Sequence, residues 1–260
     1  MDDDLHAVLD ALAARECLLV GVDFDGTLAP FQEEPMDVAP VPGAMPVLKR
    51  LAEQDGVTVA VVSGRALQAL RTLTGAGDAI VLIGSHGAES SRSAVEHQLT
   101  PQEQDQLGAL EQDLHEGLDD HPHARLEHKP SAIVLHTRGM PSGAADAATR
   151  VGEQVAARHT GVHTTPGKDV LEMAVTEAGK GPALLDLAEA VGAQAILYAG
   201  DDVTDERAFE HLRPHDVSIK VGAGETCARH RLASEGEVVE MLEHLLRART
   251  ERASVTDPIS

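Results

Sequence analysis

The sequence has 260 residues, enough for one large domain or for a domain that carries an inserted second one. Hydrophobic residues make up 42% of the chain and aromatic residues only 2%, so we expect a core of Ala, Val, Leu and Ile, and any sugar site to depend on hydrogen bonds rather than ring stacking. The formal net charge of -22 repels phosphate backbones and anionic lipid, which excludes nucleic acid and membrane surfaces as expected partners.

The first residues give no targeting signal. Met1 to Asp4 is acidic where a signal peptide would be basic, and no long apolar segment follows. The two cysteines, Cys17 and Cys227, are too few for a disulfide scaffold and are not spaced as zinc ligands. We therefore expect a cytoplasmic protein without a membrane span and, since no interface signal stands out, a monomer.

Short apolar runs bounded by turn residues predict buried parallel strands. Helical patterns alternate with several of these runs, and the clearest helix is opened by Pro182 and closed by Gly192. This alternation indicates an α/β fold with a Rossmann-like parallel sheet. The predicted strands are Leu18–Val22, Val57–Val62, Ile80–Ile83, Ala195–Tyr198 and Val217–Val221.

The middle of the chain breaks this alternation. A helix with Leu107, Leu110, Leu114 and Leu118 on one face precedes a predicted strand at Ala132–His136. A second helix near residues 144–158 and a strand near residues 170–175 follow. We therefore expect a catalytic core formed by residues 1–99 and 176–260, with an inserted α+β cap domain at residues 100–175 and a frayed tail at residues 251–260.

Two acidic segments follow predicted strands. Asp23 and Asp25 come directly after the first strand, at the edge of an open α/β sheet where ligands bind. The segment Gly200–Glu206, after the fourth strand, holds four acids. Acids at a helix N-terminus also suit the helix dipole, so this segment alone leaves both interpretations open. Together the two segments favour a hard cation with oxygen ligands, Mg²⁺, because like charges at one edge need compensation.

Two further segments could hold an anion. Ser63-Gly64-Arg65 presents a hydroxyl and backbone N–H groups at a predicted helix start, although Ser-Gly is also a common turn. Lys180, just before the helix that contains Pro182, supplies a positive charge of the kind that a transferring phosphoryl group requires. A single lysine is usually a solvated surface residue, so its assignment depends on the other segments.

The order Asp-x-Asp-Gly-Thr, Ser-Gly-Arg, Lys and Gly-Asp-Asp-x-Thr-Asp resembles the haloacid dehalogenase superfamily of phosphotransferases across nearly the whole chain. The resemblance implies that Asp23 is the nucleophile, Asp25 the acid/base, and Ser63 and Lys180 the phosphate holders. It also implies Mg²⁺ held by acids from both segments. The metal-site residues that we expect on this basis are Asp23, Asp25, Asp201, Asp202 and Asp205.

Finer features resemble the trehalose-6-phosphate phosphatase branch of that superfamily. The segment Gly84–Glu89 is similar to the Gly-x-His-Gly segment of the branch, and Gly200–Glu206 is similar to its Gly-Asp-Asp-x-Thr-Asp-Glu segment. The resemblance implies Mg²⁺-dependent hydrolysis of a phosphorylated disaccharide, trehalose 6-phosphate, through an aspartyl-phosphate. We interpret His86 as a structural histidine rather than a catalytic one.

Segments of the predicted cap resemble the sugar-recognition segments of the same branch. The substrate contacts that we expect are Arg65, Glu127, Lys129, Arg138, Lys168 and Glu172. Thr137, Ser85 and Gly179 depart from the residues common in the branch, which are Tyr, Ala and Asn, and these departures lie in or near the recognition segments. An exposed, ion-paired surface is the alternative interpretation of Glu127, Lys129 and Glu172.

Three other functions remain to be weighed. Another sugar-phosphate or phosphoglycerate phosphatase of the superfamily would share the catalytic residues and differ in the cap. A non-catalytic sugar-phosphate sensor would keep the fold, but it has no evident need for Asp25 beside Asp23. Nucleotide or nucleic-acid binding is opposed by the net charge and by the absence of a Gly-x-x-x-x-Gly-Lys loop.

Overall fold

The computed structural model describes residues 3–32, 36–92, 99–129, 131–167, 169–175 and 179–256. The chain forms two compact units: a first unit of Met1–Glu96 and Gly179–Ser260, and a second unit of His97–Ala178. None of the described helices combines the length and the apolar character that a membrane crossing requires. In chain order the elements are α1 (Asp3–Ala13), β1 (Leu18–Asp23), α2 (Ala44–Ala52), β2 (Val57–Val62), α3 (Leu67–Thr74), β3 (Ile80–Gly84), β4 (Glu89–Ser90), α4 (Pro101–Gly117), β5 (Arg125–His128), β6 (Ala132–His136), α5 (Ser142–Ala156), β7 (His163–Gly167), β8 (Val170–Ala174), α6 (Lys180–Ala190), β9 (Ala195–Gly200), α7 (Val203–His211), β10 (Val217–Val221), β11 (His230–Leu232) and α8 (Glu235–Thr256).

The first unit is built on a seven-stranded sheet in the order β11-β10-β9-β1-β2-β3-β4. The strands pair in parallel except β4, which is antiparallel to β3. The five strands predicted from the sequence are all present, as β1, β2, β3, β9 and β10, and the predicted α/β fold class is confirmed.

The register of the central strand places the acidic and anion-binding segments side by side. In β1, Asp23 pairs with Val62 of β2, so Ser63 follows at the same level of the sheet. On the other side Val22 pairs with Ala199 of β9, and Gly200 and Asp201 follow. The strand order reverses at β1, and the crevice outside the carboxyl ends of such strands is the usual ligand site of an open α/β sheet.

The sheet of the first unit has a buried core on each face, because side chains alternate along a strand. Val20 and Val22 pack on the face that also buries Leu5, Leu48 and Leu242, which come from α1, α2 and α8. Leu19 and Tyr198 pack on the opposite face with Leu184 of α6 and Phe209 of α7. This double coverage explains why the central strands read as continuous apolar runs.

The second unit is an antiparallel sheet of order β5-β6-β8-β7 with α4 and α5 on one face. Ile133 and Leu135 of β6 share a buried core with Leu110 of α4 and Val155 of α5. Helix α4 begins with a capping box, in which Thr100 accepts a hydrogen bond from the Glu103 backbone N–H and the Glu103 side chain accepts one from Thr100. The unit therefore has an α+β architecture of its own.

Several local features differ from the sequence-based expectation. Helix α6 begins at Lys180 rather than at Pro182, which lies in its first turn, and α8 continues to Thr256, so residues 251–256 are helical rather than frayed. Residues 257–260 lie outside the described part of the chain. Helix α1 and strands β5 and β7 were not anticipated; β7 is exposed along its whole length and carries no apolar pattern.

Candidate active site

Asp23 ends the central strand of the first unit and is almost fully buried. Its Oδ1 accepts a hydrogen bond of 2.7 Å from the Nζ of Lys180, whereas its Oδ2 is buried and has no hydrogen-bond partner among the described residues. Burial and the nearby Asp205 raise the pKa of Asp23 well above its ordinary value, against the attraction of Lys180. The carboxylate is therefore held in place by one oxygen, and its other oxygen is left for a cation or a substrate.

Asp205 lies beneath this pair and accepts four hydrogen bonds. Its Oδ1 accepts from Lys180 at 2.9 Å and from the Tyr198 hydroxyl at 2.5 Å. Its Oδ2 accepts from the backbone N–H groups of Asp201 and Asp202 at 2.9 and 3.0 Å. A carboxylate bonded in this way fixes both Lys180 and the start of the acidic segment.

Lys180 thus lies between two buried carboxylates. Its side chain is 3% exposed, and although burial alone would lower its pKa, attraction from Asp23 and Asp205 raises the pKa above the ordinary value. The interpretation of Lys180 as a solvated surface residue is excluded by this burial.

Asp201 packs closely against Gly26, in the turn that follows Asp25. Gly26 has φ +79°, and a Cβ atom placed there would lie 2.2 Å from Oδ2 of Asp201, so this approach requires glycine. Oδ1 of Asp201 is buried, and no hydrogen-bond partner for it lies in the part of the chain that the structure describes. Burial, followed by repulsion from Asp205 and Asp202, raises the pKa of Asp201 to about 6.

Three of the predicted metal-site residues come together. One carboxylate oxygen from each of Asp23, Asp201 and Asp205 lies within 4.8 Å of the others. Oxygen-only donors with two buried, unpartnered atoms suit a hard divalent cation, which would replace the missing hydrogen bonds. The oxygens of Asp205 are already used by four donors, so Asp23 and Asp201 are the side chains with an oxygen to offer.

Asp202 has a structural role that differs from those of Asp201 and Asp205. It is the N-cap of α7, where its Oδ1 accepts from the backbone N–H of Asp205 at 2.9 Å and from the hydroxyl of Thr204 at 2.7 Å. Burial raises the pKa of Asp202, but the attraction of Lys180 and the hydrogen bonds from Thr204 and Asp205 outweigh it, and the pKa falls to about 2. Asp202 remains ionised and stabilises the helix start.

Asp25 is paired with Arg65 in a bidentate arrangement. The Nε of Arg65 donates to Oδ2 of Asp25 at 2.7 Å, and an Nη donates to Oδ1 at 2.7 Å. The Ser63 hydroxyl lies 3.5 Å from Oδ2 of Asp25 and accepts a hydrogen bond from the Arg65 backbone N–H. The predicted acid/base and two predicted anion-binding groups therefore form one cluster.

These groups line a cavity of about 320 Å³ at the carboxyl edge of the sheet. Its size is near the lower end of the range of about 300–1,000 Å³ that is usual for small-molecule sites. Five residues predicted from the sequence to hold substrate or to catalyse are in its wall: Asp23, Asp25, Ser63, Arg65 and Lys180. The lining is completed by Phe31, Gly64, His86 and Asp202.

His86 lies against the Ser63-Gly64 segment in a left-handed backbone conformation with φ +55°. Its backbone N–H donates to the carbonyl of Ser63 at 3.0 Å, and a Cβ atom at Gly64 would lie 2.5 Å from the imidazole ring. Burial and, next, the charge of Lys180 lower the pKa of His86. A neutral imidazole packed on the anion-binding turn fits the structural part expected for it.

Sequence reasoning missed Lys220, at the end of β10. Its Nζ donates to the backbone carbonyl of Asp201 and lies 3.5 Å from Oε1 of Glu206. Glu206 in turn accepts from the backbone N–H of Cys227 at 2.9 Å and from the hydroxyl of Thr226 at 3.1 Å. The available signal in the sequence was a lysine within a predicted buried strand, where charged residues are rare.

The predicted sugar contacts of the second unit lie on and beside its sheet. Glu127 of β5 and Glu172 of β8 both align with Val134 of β6, so they share a face of the sheet. Glu172 accepts from Lys129 at 2.7 Å, and Glu127 is 2.7 Å from Nε2 of His136. Arg138 is exposed in the turn after β6. Lys168 lies outside the described residues.

Comparison with known proteins gives a consistent result. The family model described as trehalose-phosphatase matches residues 21–236. A trehalose-phosphate phosphatase of Mycobacterium tuberculosis is 33% identical over 266 residues, a match that covers 95% of this chain but 66% of that protein's length. The chain therefore spans somewhat less than two thirds of this curated relative.

Two solved structures have a similar fold. An Aspergillus fumigatus trehalose-6-phosphate phosphatase is 22% identical with a TM-score of 0.65, and the match covers 95% of this chain and 98% of that one. A trehalose-6-phosphate phosphatase related protein is 26% identical with a TM-score of 0.51, over 90% of this chain and 99% of the other. Both similarities extend through the two units described above.

Proposed function

Since the chain belongs to the trehalose-phosphatase family, we propose that it is a phosphatase that hydrolyses trehalose 6-phosphate to trehalose and phosphate, a step of trehalose biosynthesis. The observation that carries the proposal is the buried Asp23–Lys180 pair in the wall of a cavity that also holds Asp25 and Ser63. The residues that we propose as nucleophile, acid/base and holders of the phosphoryl oxygens thus lie within one small site. The similarity to the mycobacterial trehalose-phosphate phosphatase supports the choice of substrate.

We propose Mg²⁺ as the cofactor. The unpartnered oxygens of Asp23 and Asp201 support this choice, and the backbone carbonyl of Asp25 would complete the protein's share of the ligands. Asp205 would orient the backbone of Asp201 and Asp202 without binding the cation itself, since it accepts hydrogen bonds from both of their N–H groups. When bound, Mg²⁺ supplies positive charge that offsets the repulsion between the Asp23 carboxylate and the phosphoryl oxygens.

In the first step, a carboxylate oxygen of Asp23 attacks phosphorus in line with the leaving oxygen of the sugar. A bond from Asp23 to phosphorus forms while the bond from phosphorus to the sugar oxygen breaks. Asp25 donates its proton to that oxygen, so the sugar leaves as an alcohol. Because Arg65 holds both oxygens of Asp25, the incoming phosphate must attract Arg65 before Asp25 can carry the proton.

In the second step, water attacks phosphorus of the aspartyl-phosphate. Asp25, now ionised, accepts a proton from the water, and the pair of electrons in the Asp23–phosphorus bond returns to the carboxylate. Lys180 holds Asp23 throughout, which keeps the nucleophile in one orientation for both steps. Ser63, Arg65 and Lys180 stabilise the charge that spreads over the equatorial oxygens.

For sugar recognition, we keep Glu127, Lys129, Arg138, Lys168 and Glu172 of the second unit as proposed contacts. The shared sheet face of Glu127 and Glu172 and the 2.7 Å pair between Lys129 and Glu172 support a common polar surface. Such a surface offers donors and acceptors at fixed positions, which is what a disaccharide rich in hydroxyl groups requires.

The substrate is tested by phosphate release from trehalose 6-phosphate, glucose 6-phosphate, sucrose 6-phosphate and mannosyl-3-phosphoglycerate in the presence of Mg²⁺. We expect kcat/KM to be highest for trehalose 6-phosphate. Preferential turnover of another member would keep the chemistry and replace the substrate by that of a related phosphatase.

A further inference from the structure

Aromatic side chains are scarce in this protein, and three of the four are buried. Phe24, Phe209 and Tyr198 belong to the core, whereas Phe31 is 69% exposed. A single exposed apolar side chain is common on protein surfaces and needs no functional explanation. The position of Phe31, in the lining of the cavity that holds Asp23, is the informative observation.

The turn that follows Asp25 also places Phe31 in the cavity lining. After Asp25, the Gly26 backbone N–H donates to the carbonyl of Ala29 at 2.7 Å, and Asp25 and Ala29 form a β-bridge. The chain thus folds back, and Phe31 lies over Gly26, where a Cβ atom would be 2.7 Å from its Cε2. The ring is therefore supported by Gly26, while most of its surface faces solvent at the cavity.

The chemistry of a hexose phosphate matches this arrangement. The phosphate belongs beside Asp23, Ser63 and Lys180, and only one carbon separates a 6-phosphate from its sugar ring. That ring must lie close to the phosphate, where its hydroxyls point outward and its C–H groups form an apolar face. An aromatic ring can cover such a face and remove both apolar surfaces from water.

We propose that Phe31 is a specificity-determining residue whose ring covers one face of the phosphate-bearing hexose. This inference rests on the proposed function, since it requires a sugar phosphate in the cavity. It also revises the expectation from composition that ring stacking has no part in sugar recognition. A small phosphate ligand without a sugar gains nothing from the Phe31 ring.

Isothermal titration calorimetry of the Asp23→Asn protein with Mg²⁺ separates the two contributions, because we expect this background, which retains Ser63, Lys180 and Asp201, to bind ligand without turning it over. The probes are trehalose 6-phosphate and inorganic phosphate. We expect Phe31→Ala to raise the dissociation constant of trehalose 6-phosphate about tenfold and to leave that of inorganic phosphate unchanged. Phe31→Tyr, which keeps the ring, should bind trehalose 6-phosphate within about twofold of the parent.

Met36→Ala is the matched control, because Met36 is also an exposed apolar residue, at 55%, and is not in the cavity lining. It should change neither constant. Thermal unfolding of each variant shows whether the fold is intact; Phe31→Ala should unfold as the parent does, because the side chain is exposed.

Equal affinity of the parent and Phe31→Ala for trehalose 6-phosphate would overturn the inference and leave the proposed function in place. An equal loss of affinity for trehalose 6-phosphate and inorganic phosphate would also overturn it. Phe31 would then maintain the conformation of the turn rather than contact the sugar. Failure of the parent to bind trehalose 6-phosphate, together with no turnover by the wild type, would contradict the proposed function and with it this inference.

Discussion

The ammonium of Lys180 lies 2.7 Å from Oδ1 of Asp23, and both side chains are almost fully buried. Lys180 also bonds Asp205, so its removal would leave two carboxylates facing each other without compensation. Breaking a buried ion pair from one side costs about 3–5 kcal/mol. We therefore expect Lys180→Met to lower the free energy of unfolding by about that amount, measured by chemical denaturation in the presence of chelator.

Asp23→Asn should behave differently from Lys180→Met. Burial and Asp205 raise the pKa of Asp23, so the ionised form of Asp23 is unfavourable in the metal-free fold. A neutral amide of the same shape removes that cost and leaves Lys180 bonded to Asp205. In chelator, Asp23→Asn should unfold at the same denaturant concentration as the wild type or at a higher one. A fall in the free energy of unfolding as large as that of Lys180→Met would contradict the conclusion that ionised Asp23 is unfavourable in the metal-free fold.

Tyr198, the sole tyrosine, is predicted to be a positioning residue for the acidic segment. Tyr198→Phe removes the donor at 2.5 Å from Asp205 and keeps the buried ring. Asp205 holds the backbone of the segment that carries the proposed ligand Asp201, and loss of such an outer-sphere contact typically costs about 10–100-fold in metal affinity. We expect calorimetry to show Mg²⁺ binding at least about tenfold weaker.

Phe209→Leu is the control for Tyr198→Phe, because the two rings pack with centroids 5.8 Å apart in the same core. It should lower the unfolding temperature without changing the dissociation constant of Mg²⁺. If both variants changed Mg²⁺ affinity equally, Tyr198 would be a packing residue only.

The pH dependence of the metal-free protein tests the environment of Asp201. Its pKa is raised from 3.8 to about 6, so between these values the folded protein holds a proton that the unfolded chain releases. Stability must then fall as pH rises through this window. Thermal unfolding in chelator should show this loss, and Asp201→Asn should show less of it.

Mg²⁺ should restore the stability that is lost above pH 6, because the cation takes the place of the proton on Asp201. An equal pH dependence in the wild type and Asp201→Asn would assign the effect to other groups.

Glu172→Gln tests sugar recognition in the second unit. Glu172 and Lys129 are partly exposed, and such ion pairs contribute about 0–1 kcal/mol, so stability should change little. Loss of a polar contact with substrate costs about 1–3 kcal/mol, which corresponds to a fall of about 5–150-fold in kcat/KM for trehalose 6-phosphate. Turnover of p-nitrophenyl phosphate should be nearly unchanged.

Glu111→Gln offers a matched control, because Glu111 forms a similar pair with His128 in the same unit at 3.1 Å. It should affect neither substrate. Equal losses on both substrates in Glu172→Gln would favour an ion-paired surface over a sugar contact.

The sequence predicted the strands of the first unit well, because β1, β3 and β9 are buried along their whole length and their sequences are almost entirely apolar. Strands β5 and β7 were missed for the opposite reason: they are mostly exposed and have no apolar alternation. Local patterns report burial, so an exposed strand that is held by its neighbours gives almost no signal.

The candidate site followed from strand ends, since parallel strands bring their carboxyl ends to one edge. Arg65 was expected beside the substrate, and its bidentate bond to Asp25 could not be read from sequence, because it joins residues 40 positions apart. The same holds for Tyr198 and Lys220, whose partners come from other elements or from the acidic segment. The hydrogen bonds of these three residues become visible only in the structure, because residue type alone does not identify their partners.

We propose that Asp23 serves as the nucleophile of a Mg²⁺-dependent phosphatase. It is tested most directly by phosphate release from trehalose 6-phosphate under three conditions: wild type with Mg²⁺, wild type with chelator, and Asp23→Asn with Mg²⁺. We expect turnover in the first and no more than a trace in the other two. Substantial turnover by Asp23→Asn would contradict the mechanism, and no turnover under any condition would indicate a sugar-phosphate sensor that keeps the fold.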